Sequence, residues 1–384
     1  MIDVAIVGGG PAGAWAACRL AQGGARVELL DGSHPREKPC GGGVTGRALA
    51  LVGSSVDRLS GGVPIQHARF AHADRRADVP LQAGAEPLRL AVVPRQEFDA
   101  QLVVQAESAG ATVRRTRVVD IRRDPGGWRL ATRDGEVRSR WVIGADGPGS
   151  LVRRRLGHPF ERADLSIASG YYVHGVSSGT IDIAFVEDPP GYLWSFPRRD
   201  HLAVGVCAQA DVASSARLLR LTERWLERHE PAGRRERYSW PIPSLRAGTL
   251  ERERPAGNGW LLAGDAAGLV DPITREGIFF ALRSGEEAAR ALLDGRDPAA
   301  DYVARVRDTI YAELILAARL KARFFRPRFM ALLVSALNRS ARIRRIMADL
   351  VAGDQPYHTL RRRLLATLEW KLMAELFGLG RGRL

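Results

Sequence analysis

The N-terminal segment carries the feature that most constrains the fold. Val4–Val7 is a continuous apolar run, which predicts a buried strand in a parallel sheet. Ala14–Leu20 is compact and alanine-rich, as in a helix, and Val27–Leu30 predicts the next buried strand. The chain therefore begins with a β-α-β unit and is expected to build an α/β fold.

Glycines fill the turn between that first strand and the helix at G-x-G-x-x-G spacing. Gly8 allows the tight turn, Gly10 allows a pyrophosphate to approach the backbone, and Gly13 allows the helix to pack closely on the strand. The free N–H groups and the dipole of the helix N-terminus then hold the phosphates. Asp31 ends the second strand, where a ribose-binding acid belongs. This segment predicts dinucleotide binding, and alone it does not separate FAD from NAD.

A second turn favours a flavin. In "GWLLAGDAAG" a predicted strand delivers Asp265 to a glycine-flanked turn, and a helix is predicted to start near Gly277. A carboxylate there suits the hydroxyl groups of a ribityl chain, and the helix N-terminus would face the electron-rich pyrimidine end of a flavin. An aspartate that merely caps a turn explains Asp265 equally well when this segment is taken alone.

Composition excludes several other classes. The chain of 384 residues has a net charge of +14, yet it shows no zinc finger, helix-turn-helix or aromatic-studded basic groove, so no nucleic-acid partner is expected. The three cysteines, Cys18, Cys40 and Cys207, are widely spaced, which predicts neither a disulfide framework nor a metal site. The N-terminus does not look like a signal peptide, and no apolar run is long enough to span a membrane. We expect a cytoplasmic protein that at most rests on a membrane surface.

Four motifs in order over residues 1 to about 290 resemble the flavoprotein superfamily of the aromatic hydroxylases. They are the glycine fingerprint, "VVPRQEFDAQL" around Arg95, "GADGPGS" with Asp146, and "LAGDAAGLVDP" with Asp265. The resemblance implies FAD, with Arg95 near its ribityl-pyrophosphate stretch, Asp146 in the Asp-Gly signature and Asp265 on the ribityl chain. Without it, Arg95 is equally well an exposed arginine at a helix start. The predicted cofactor-binding residues are Gly8, Gly10, Pro11, Ala12, Gly13, Asp31, Gly41, Gly42, Arg95, Val118, Asp146, Asp265, Gly277 and Ile278.

Two further segments resemble the geranylgeranyl reductases within that superfamily. "KPCGGGV" matches their Cys-Gly-Gly loop, and "GYLWSFPRR" matches their Tyr-x-Trp-x-Phe-Pro-Lys segment, while "DPITREGIFFALRSG" and "LVAGDQPYHTL" are also similar. The chain departs from the family twice: Arg198 replaces the lysine, and Arg275 stands where a small glycine is usual. The second departure puts a cation near the expected flavin edge and counts against a plain polyprenyl substrate.

The aromatic residues of this segment alternate along one predicted strand. We expect Tyr192 and Trp194 to wall a cavity above the flavin and to act in catalysis. Phe196 and Arg275 are assigned to the substrate cavity, although ordinary core packing also explains Phe196. The resemblance places Cys40 beside the flavin, where it positions substrate or assists protonation. The glycines after Cys40 are expected to allow close approach to the flavin ring or movement of the loop.

Along the chain, three segments typical of a nucleotide-binding fold are separated by strand-rich segments. This predicts a Rossmann-type FAD-binding domain, an inserted antiparallel-sheet substrate domain and a helical C-terminal region. The predicted boundaries are 1–60, 95–155 and 255–297 for the FAD-binding domain, 61–94 and 156–254 for the substrate-binding domain, and 298–384 for the helical region.

The resemblance implies an FAD-dependent reductase that saturates carbon–carbon double bonds of an isoprenoid or other hydrophobic substrate. Reduced flavin would deliver hydride, and a nearby acid or water would deliver a proton. Because no second nucleotide fingerprint is present, NAD(P)H or another electron donor is expected to bind transiently. The alternatives are an FAD monooxygenase acting on an apolar or aromatic substrate and a flavin-containing lipid-binding protein without turnover. A halogenase is not expected, because the segment lacks that class's Trp-x-Trp-x-Ile-Pro pattern and no lysine lies between Lys38 and Lys321.

The C-terminal helices are rich in arginine. Between Arg319 and Met330, basic residues alternate with phenylalanines. Such a stretch is able to contact an anionic membrane that holds a lipid substrate. A helical cap with a solvated basic face is the simpler explanation.

Overall fold

A computed structural model describes residues 1–55, 58–59, 61–81, 88–229 and 232–367. Within these ranges the chain forms an eight-stranded sheet with a parallel centre, a seven-stranded mostly antiparallel sheet and a small three-stranded sheet, followed by C-terminal helices. The predicted fold class is therefore confirmed. The predicted helical region beyond residue 367 lies outside the described residues.

The eight-stranded sheet is built around the first strand of the chain. Its strands are β1 (Ile2–Val7), β2 (Val27–Leu30), β8 (Thr112–Arg114), β9 (Val118–Asp124), β10 (Gly127–Thr132), β11 (Gly135–Gly144), β17 (Ala256–Gly257) and β18 (Trp260–Leu262). β1 pairs in parallel with β2 and with β11, and β11 pairs in parallel with β18. β9, β10 and β11 form an antiparallel meander at one side. The apolar run Val4–Val7 is buried, as expected for a central strand of a parallel sheet.

Helices α1 (Pro11–Gln22) and α3 (Arg95–Ser108) pack against this sheet, and α7 (Ile278–Asp294) packs against α1. Pro11 occupies the first helical position of α1, where its missing N–H removes no hydrogen bond, and the helix ends at Gly23. Gly285 lets α7 lie directly against α1, because a side chain there would meet the backbone carbonyl of Ala12. Residues at the N-terminal ends of α1 and α7 consequently line the same cavity.

The seven-stranded sheet takes its strands from two separate segments of the chain. They are β5 (His67–His72), β6 (Arg75–Pro80), β12 (Leu165–His174), β13 (Thr180–Val186), β14 (Gly191–Pro197), β15 (His201–Gln209) and β16 (Arg235–Pro243). β14 pairs antiparallel with both β13 and β15. The three-stranded sheet consists of β3 (Gly43–Thr45), β4 (Val63–Pro64) and β7 (Leu90–Val92). We propose that the domain division predicted from the sequence follows the two large sheets.

The remaining helices surround these sheets. They are α2 (Gly46–Leu51), α4 (Leu151–Leu156), α5 (Ser215–His229), α6 (Ala247–Arg252), α8 (Pro298–Val306), α9 (Ala312–Phe324), α10 (Pro327–Arg339), α11 (Ala341–Val351) and α12 (Tyr357–Leu365). Phe324, Phe325 and Met330 are buried in the core, so the aromatic part of the basic C-terminal stretch faces inward. Among the described helices, none combines the length and the apolar content that a membrane crossing requires.

Candidate active site

One large cavity, of about 1190 Å³, lies between the eight-stranded and the seven-stranded sheets. Every residue of the predicted site lines it except Gly13, which is enclosed between the first turn of α1 and the loop before it. One half of the cavity is formed by the glycine turn and polar side chains, and the other half by apolar side chains. The fold thus brings together predicted residues that are far apart in the sequence.

The glycine turn after β1 forms a tight cradle. Gly8 has a φ of +106°, which favours glycine, and a side chain there would meet the Asp146 Cα at 2.8 Å. A side chain at Gly13 would meet the carbonyl oxygen of Gly8. Gly10 faces the cavity, and a Cβ added there would lie 3.6 Å from His34 Nε2. Because no side chain caps the N-terminus of α1, its first N–H groups are available to phosphates.

Asp31 stands at the end of β2 and holds the glycine turn. Its Oδ2 accepts the Gly9 N–H at 2.7 Å and lies 2.8 Å from His34 Nδ1, while Oδ1 accepts the Ser33 hydroxyl. Burial opposes ionisation, but the hydrogen bonds from His34 and Gly9 hold the pKa of Asp31 well below its usual value. His34 Nε2 also lies 3.5 Å from Asp99 Oδ2. His34, which no sequence motif marks, joins the ribose-side acid to α3.

Arg95, at the start of α3, is buried and paired. Its Nε and Nη2 donate to the two carboxylate oxygens of Asp99 at 2.9 and 2.8 Å, and its Nη1 donates to Cys40 Sγ at 3.8 Å. Burial opposes the charge, but Asp99 and Cys40 raise the pKa of Arg95 above its ordinary value. The exposed-arginine interpretation is therefore wrong for this side chain, which fixes a cation beside the cysteine.

Two more predicted acids face the same half of the cavity. Asp146 accepts the Leu151 N–H at 2.6 Å through Oδ2, whereas its buried Oδ1 has no hydrogen-bond partner among the described residues. Burial raises the pKa of Asp146. Asp265 forms an ion pair with Lys38, with Nζ to Oδ2 at 2.8 Å. Gly277 precedes α7, whose N-terminus also lacks a side-chain cap.

These features fit FAD. Two uncapped helix N-termini supply N–H groups for phosphates and for the electron-rich end of a flavin. Asp31 and Asp265 supply acceptors for ribose and ribityl hydroxyl groups, and the unpartnered oxygen of Asp146 supplies another. The residues that would hold the cofactor are therefore present on one wall of the cavity.

The other half of the cavity is apolar. It is lined by Phe70, Ile181, Ile183, Phe185, Tyr192, Trp194, Phe196, Phe324, Met347, Leu350 and Val351. The hydroxyl of Tyr192 donates to the Thr274 carbonyl at 3.0 Å, so this residue also holds the loop before α7. Burial raises the pKa of Tyr192 above its usual value, so the hydroxyl stays protonated. The Tyr192 and Trp194 rings, with centroids 6.1 Å apart, form the wall on the β14 side.

The Cys-Gly-Gly loop packs directly on β14. A side chain at Gly41 would come within 2.6 Å of Phe196 Cδ2. Gly42 has a φ of +79°, and a side chain there would meet the Arg198 guanidinium and lie 2.6 Å from the Val93 carbonyl. The two segments that resemble the geranylgeranyl reductases are thus one packed unit. Close contact with Phe196 explains Gly41, and close contact with Arg198 and Val93 explains Gly42, without a flavin contact.

Arg198 joins this unit together. Its side chain is 1% exposed, and its Nη1 donates to the Val93 carbonyl. Its Nη2 donates to the Cys40 carbonyl at 3.3 Å and to Glu37 Oε1 at 3.1 Å. A planar guanidinium spreads its donors over several nitrogens in a fixed fork, so it reaches three separated acceptors at once, whereas a lysine carries all its N–H groups on one nitrogen. The replacement of the family's lysine is visible in the sequence, whereas these three contacts are not.

Arg275 lies in the loop that leads to α7 and lines the cavity. It has a φ of +62°, the left-handed conformation in which the family's glycine would be unstrained. Its Nη1 donates to the Pro272 carbonyl at 2.6 Å and to the Ser244 hydroxyl. Cys207 also lines the cavity and was missed; it lies opposite Tyr192 in the β14–β15 register.

Comparison with known proteins defines the class. Residues 1–294 match the model of the FAD binding domain family. The chain therefore belongs to this family and is an FAD-dependent oxidoreductase.

The relatives agree with the resemblance to geranylgeranyl reductases. The chain is 30% identical over 393 residues to menaquinone reductase of Mycobacterium tuberculosis, covering 92% of each protein. It is 30% identical over 348 residues to digeranylgeranylglycerophospholipid reductase of Methanothrix thermoacetophila, covering 84% of this chain and 88% of that protein. A geranylgeranyl bacteriochlorophyll reductase-like protein of Thermoplasma acidophilum shares the fold, with a TM-score of 0.80 at 22% identity over 95% of this chain and 98% of that one. The family prediction is confirmed, while a quinone reductase among the relatives was not foreseen.

Proposed function

We propose that this protein is an FAD-dependent reductase that saturates carbon–carbon double bonds of an isoprenoid or other hydrophobic substrate. The observation that carries the proposal is one continuous cavity that joins the cofactor cradle to an apolar chamber. Its volume of about 1190 Å³ is above the roughly 300–1,000 Å³ of typical ligand pockets. The relatives named as reductases of menaquinone and of a digeranylgeranyl lipid support the same substrate class.

The residues of the chain have distinct tasks in this proposal. When bound, reduced FAD supplies the hydride. The apolar wall, including Tyr192 and Trp194, excludes water and holds the alkene in place. Cys40 lines the cavity beside the Arg95 cation, where its thiol positions the substrate or donates a proton to it. A reduced nicotinamide, or another donor, binds transiently and restores the reduced cofactor.

The test uses the FAD-loaded protein reduced without oxygen. We expect geranylgeraniol to reoxidise the flavin, and its fully saturated counterpart phytanol, the matched control, to leave it reduced. Turnover that strictly requires oxygen and gives an oxygenated product would establish the monooxygenase instead. A protein that cannot be loaded with FAD would contradict both functions.

Cys40 is tested in the same assay. Cys40→Ala should retain FAD and slow the reoxidation by geranylgeraniol, because the thiol lines the cavity. Cys18→Ala is the matched control, since Cys18 is buried within α1 and does not line the cavity. Equal rates of flavin reoxidation for Cys40→Ala and the wild type would show that Cys40 takes no part in the reaction.

We also propose peripheral contact with anionic membrane through the basic C-terminal helices. Arg323, Arg326 and Arg328 are exposed, whereas Phe324 and Phe325 are buried, so the contact rests on charge. Sedimentation with vesicles of anionic lipid should capture the protein at low salt and release it at high salt. Equal capture by vesicles of neutral lipid would contradict this contact.

A further inference from the structure

The loop that leads into α7, residues 271–277, stands beside the acid assigned to the ribityl chain. Most of the loop lines the cavity. A Cβ added at Gly277 would lie 3.5 Å from Asp265 Oδ1. A ribityl chain bound at Asp265 therefore brings the flavin ring next to this loop and to the uncapped N-terminus of α7. The way in which the loop is held decides where that helix N-terminus lies.

Asp271 gives the loop its shape from the inside. Its buried carboxylate accepts the N–H groups of Ile273 and Thr274 through Oδ1, at 2.7 and 3.0 Å. Its backbone N–H donates to the Glu276 carbonyl at 2.9 Å, and its own carbonyl accepts the Arg275 N–H at 3.0 Å. One aspartate thus orders the backbone from the start of the loop to the residue before Gly277.

The second carboxylate oxygen of Asp271 is held by the C-terminal helices. Tyr357, the first residue of α12, donates its hydroxyl to Asp271 Oδ2 at 2.8 Å. Burial and the charge of Asp271 raise the pKa of Tyr357, so the hydroxyl stays protonated and remains a donor. The backbone N–H of Tyr357 donates to Glu313 Oε2 of α9 at 2.5 Å, which fixes the start of α12 in turn. Tyr357 therefore ties the loop to the C-terminal region.

Other side chains anchor the later part of the loop. Tyr192 donates to the Thr274 carbonyl at 3.0 Å. Arg47 pairs with Glu276 at 2.5 Å, and the Thr45 hydroxyl donates to the same carboxylate at 3.0 Å. These contacts keep the loop in place when the Tyr357 hydroxyl is removed. They do not hold the Asp271 carboxylate, so the turn that Asp271 shapes is then free to shift.

We propose that Tyr357 is a positioning residue for the flavin: acting through Asp271, it holds the N-terminus of α7 where it stabilises the reduced cofactor. A helix N-terminus favours negative charge, and a flavin is richer in electrons when reduced than when oxidised. The contact should therefore raise the reduction potential of bound FAD more than it raises the affinity for oxidised FAD. This inference goes beyond the proposed function, since it requires that FAD binds and names no substrate.

The test measures two properties of the full chain without any substrate. They are the midpoint potential of bound FAD, from anaerobic titration against a reference dye, and the Kd of oxidised FAD, from flavin fluorescence. In Tyr357→Phe only the hydroxyl is lost. We expect the equilibrium constant for reduction of bound FAD to fall about tenfold, which for a two-electron couple lowers the potential by about 30 mV. The Kd of oxidised FAD should change much less than that.

Two further variants separate positioning from a general loss of stability. Tyr171→Phe also removes a tyrosine hydroxyl that donates to a carboxylate, that of Glu223 at 2.5 Å, but this pair joins β12 to α5 outside the cavity lining. Its potential should equal that of the wild type. Asp271→Asn keeps an oxygen for the two loop N–H groups and places an amide against the Tyr357 hydroxyl. Because the loop keeps its shape and a negative charge is lost, its potential should not fall.

An unchanged potential in Tyr357→Phe, even with a lower melting temperature, would overturn the inference, because the tyrosine would then serve stability alone. Loss of oxidised FAD from Tyr357→Phe would also overturn it, since the effect has to be selective for the reduced form. A fall in potential in Tyr171→Phe or in Asp271→Asn would contradict it as well. None of these measurements uses an alkene, so failure of the reductase proposal gives a different result.

Discussion

Arg198 controls how the Cys-Gly-Gly loop is held, because its enclosed guanidinium donates to three acceptors from different segments. These are the carbonyls of Val93 and Cys40 and the carboxylate of Glu37. Arg198→Met keeps an unbranched apolar stem and removes every one of these donors. The loop that carries Cys40 then loses its main polar connection to β14.

The size of the effect follows from these contacts. A hydrogen bond from a charged donor contributes about 1.5–3 kcal/mol, and three such bonds are lost, although the Glu37 carboxylate is 30% exposed and water compensates part of its loss. Since one guanidinium serves all three acceptors, the effects do not add, and we expect Arg198→Met to lower the free energy of unfolding by about 3–5 kcal/mol. Arg198→Lys keeps the charge and loses the planar fork, so a loss of about 1–3 kcal/mol is expected.

Two assays check the reasoning. Urea unfolding of the FAD-loaded protein measures the loss of stability, and reaction with a maleimide measures access to Cys40, since Cys18 and Cys207 are buried. Both the unfolding midpoint and the protection of Cys40 should decrease from wild type through Arg198→Lys to Arg198→Met. Arg220→Met on the exposed side of α5 is the matched control and should change stability by no more than about 0.5 kcal/mol. Unchanged midpoints and labelling rates in both Arg198 variants would refute the argument.

Three further predictions follow from close contacts and burial. Gly41→Ala should lower the free energy of unfolding by about 1–3 kcal/mol in urea, because its Cβ would come within 2.6 Å of Phe196, and adding Phe196→Leu should restore part of the loss. Gly13→Ala should abolish FAD retention, measured as the ratio of flavin to protein absorbance, because its Cβ would meet the turn's own backbone, whereas Gly179→Ala, in open space, should retain FAD. For Lys321, with a pKa lowered from 10.5 to about 7, the unfolded chain binds more protons between these values. Stability of the wild type should therefore rise with pH across that window, by up to about 1.4 kcal/mol per pH unit, and this rise should be missing in Lys321→Gln.

Each of these three predictions has an outcome that would contradict it. Equal stability of Gly41→Ala and wild type would mean that the loop does not pack on β14 as described. Full FAD content in Gly13→Ala would show that the tight turn is not required for cofactor binding. Parallel stability curves for wild type and Lys321→Gln between pH 7 and 10 would mean that folding does not lower the pKa of this amine.

The cofactor half of the site was predictable because its signals are local. The spacing of Gly8, Gly10 and Gly13 dictates the turn within a few residues, and the strand before it is a plain apolar run. Asp31 and Asp265 each follow a buried strand, so the parallel sheet brings them to one edge. FAD, the fold class and the family were accordingly predicted correctly.

The contacts that assemble the loop and the cavity were not predictable, because they join distant segments. Lys38 pairs with Asp265 across 227 residues, and Arg198 reaches the Cys40 carbonyl across 158 residues. No periodicity or spacing signals such pairs, which depend on how β14 meets the loop in the folded chain. Cys207 is an intermediate case, since only the register of the β14–β15 hairpin places it opposite Tyr192.

The basic and aromatic C-terminal stretch shows a different limit of prediction from sequence. Its alternating basic and aromatic residues indicated a surface that contacts lipid, but helical spacing turns Phe324, Phe325 and Met330 into the core. Lys321 likewise points inward to Ser244. Composition identified the charges, whereas only the packing of α9 and α10 decides which of them remain exposed.

The central claim is that the protein reduces an alkene bound in this cavity, and the mass of the product tests this claim most directly. The FAD-loaded protein is reduced without oxygen and incubated with geranylgeraniol and, separately, with geranylgeranyl phosphate, and the recovered lipid is analysed by mass spectrometry. We expect a product that has gained two hydrogen atoms for each double bond reduced and that forms in the absence of oxygen. Unchanged lipid under these conditions, together with a product that gains an oxygen atom when air is admitted, would contradict it.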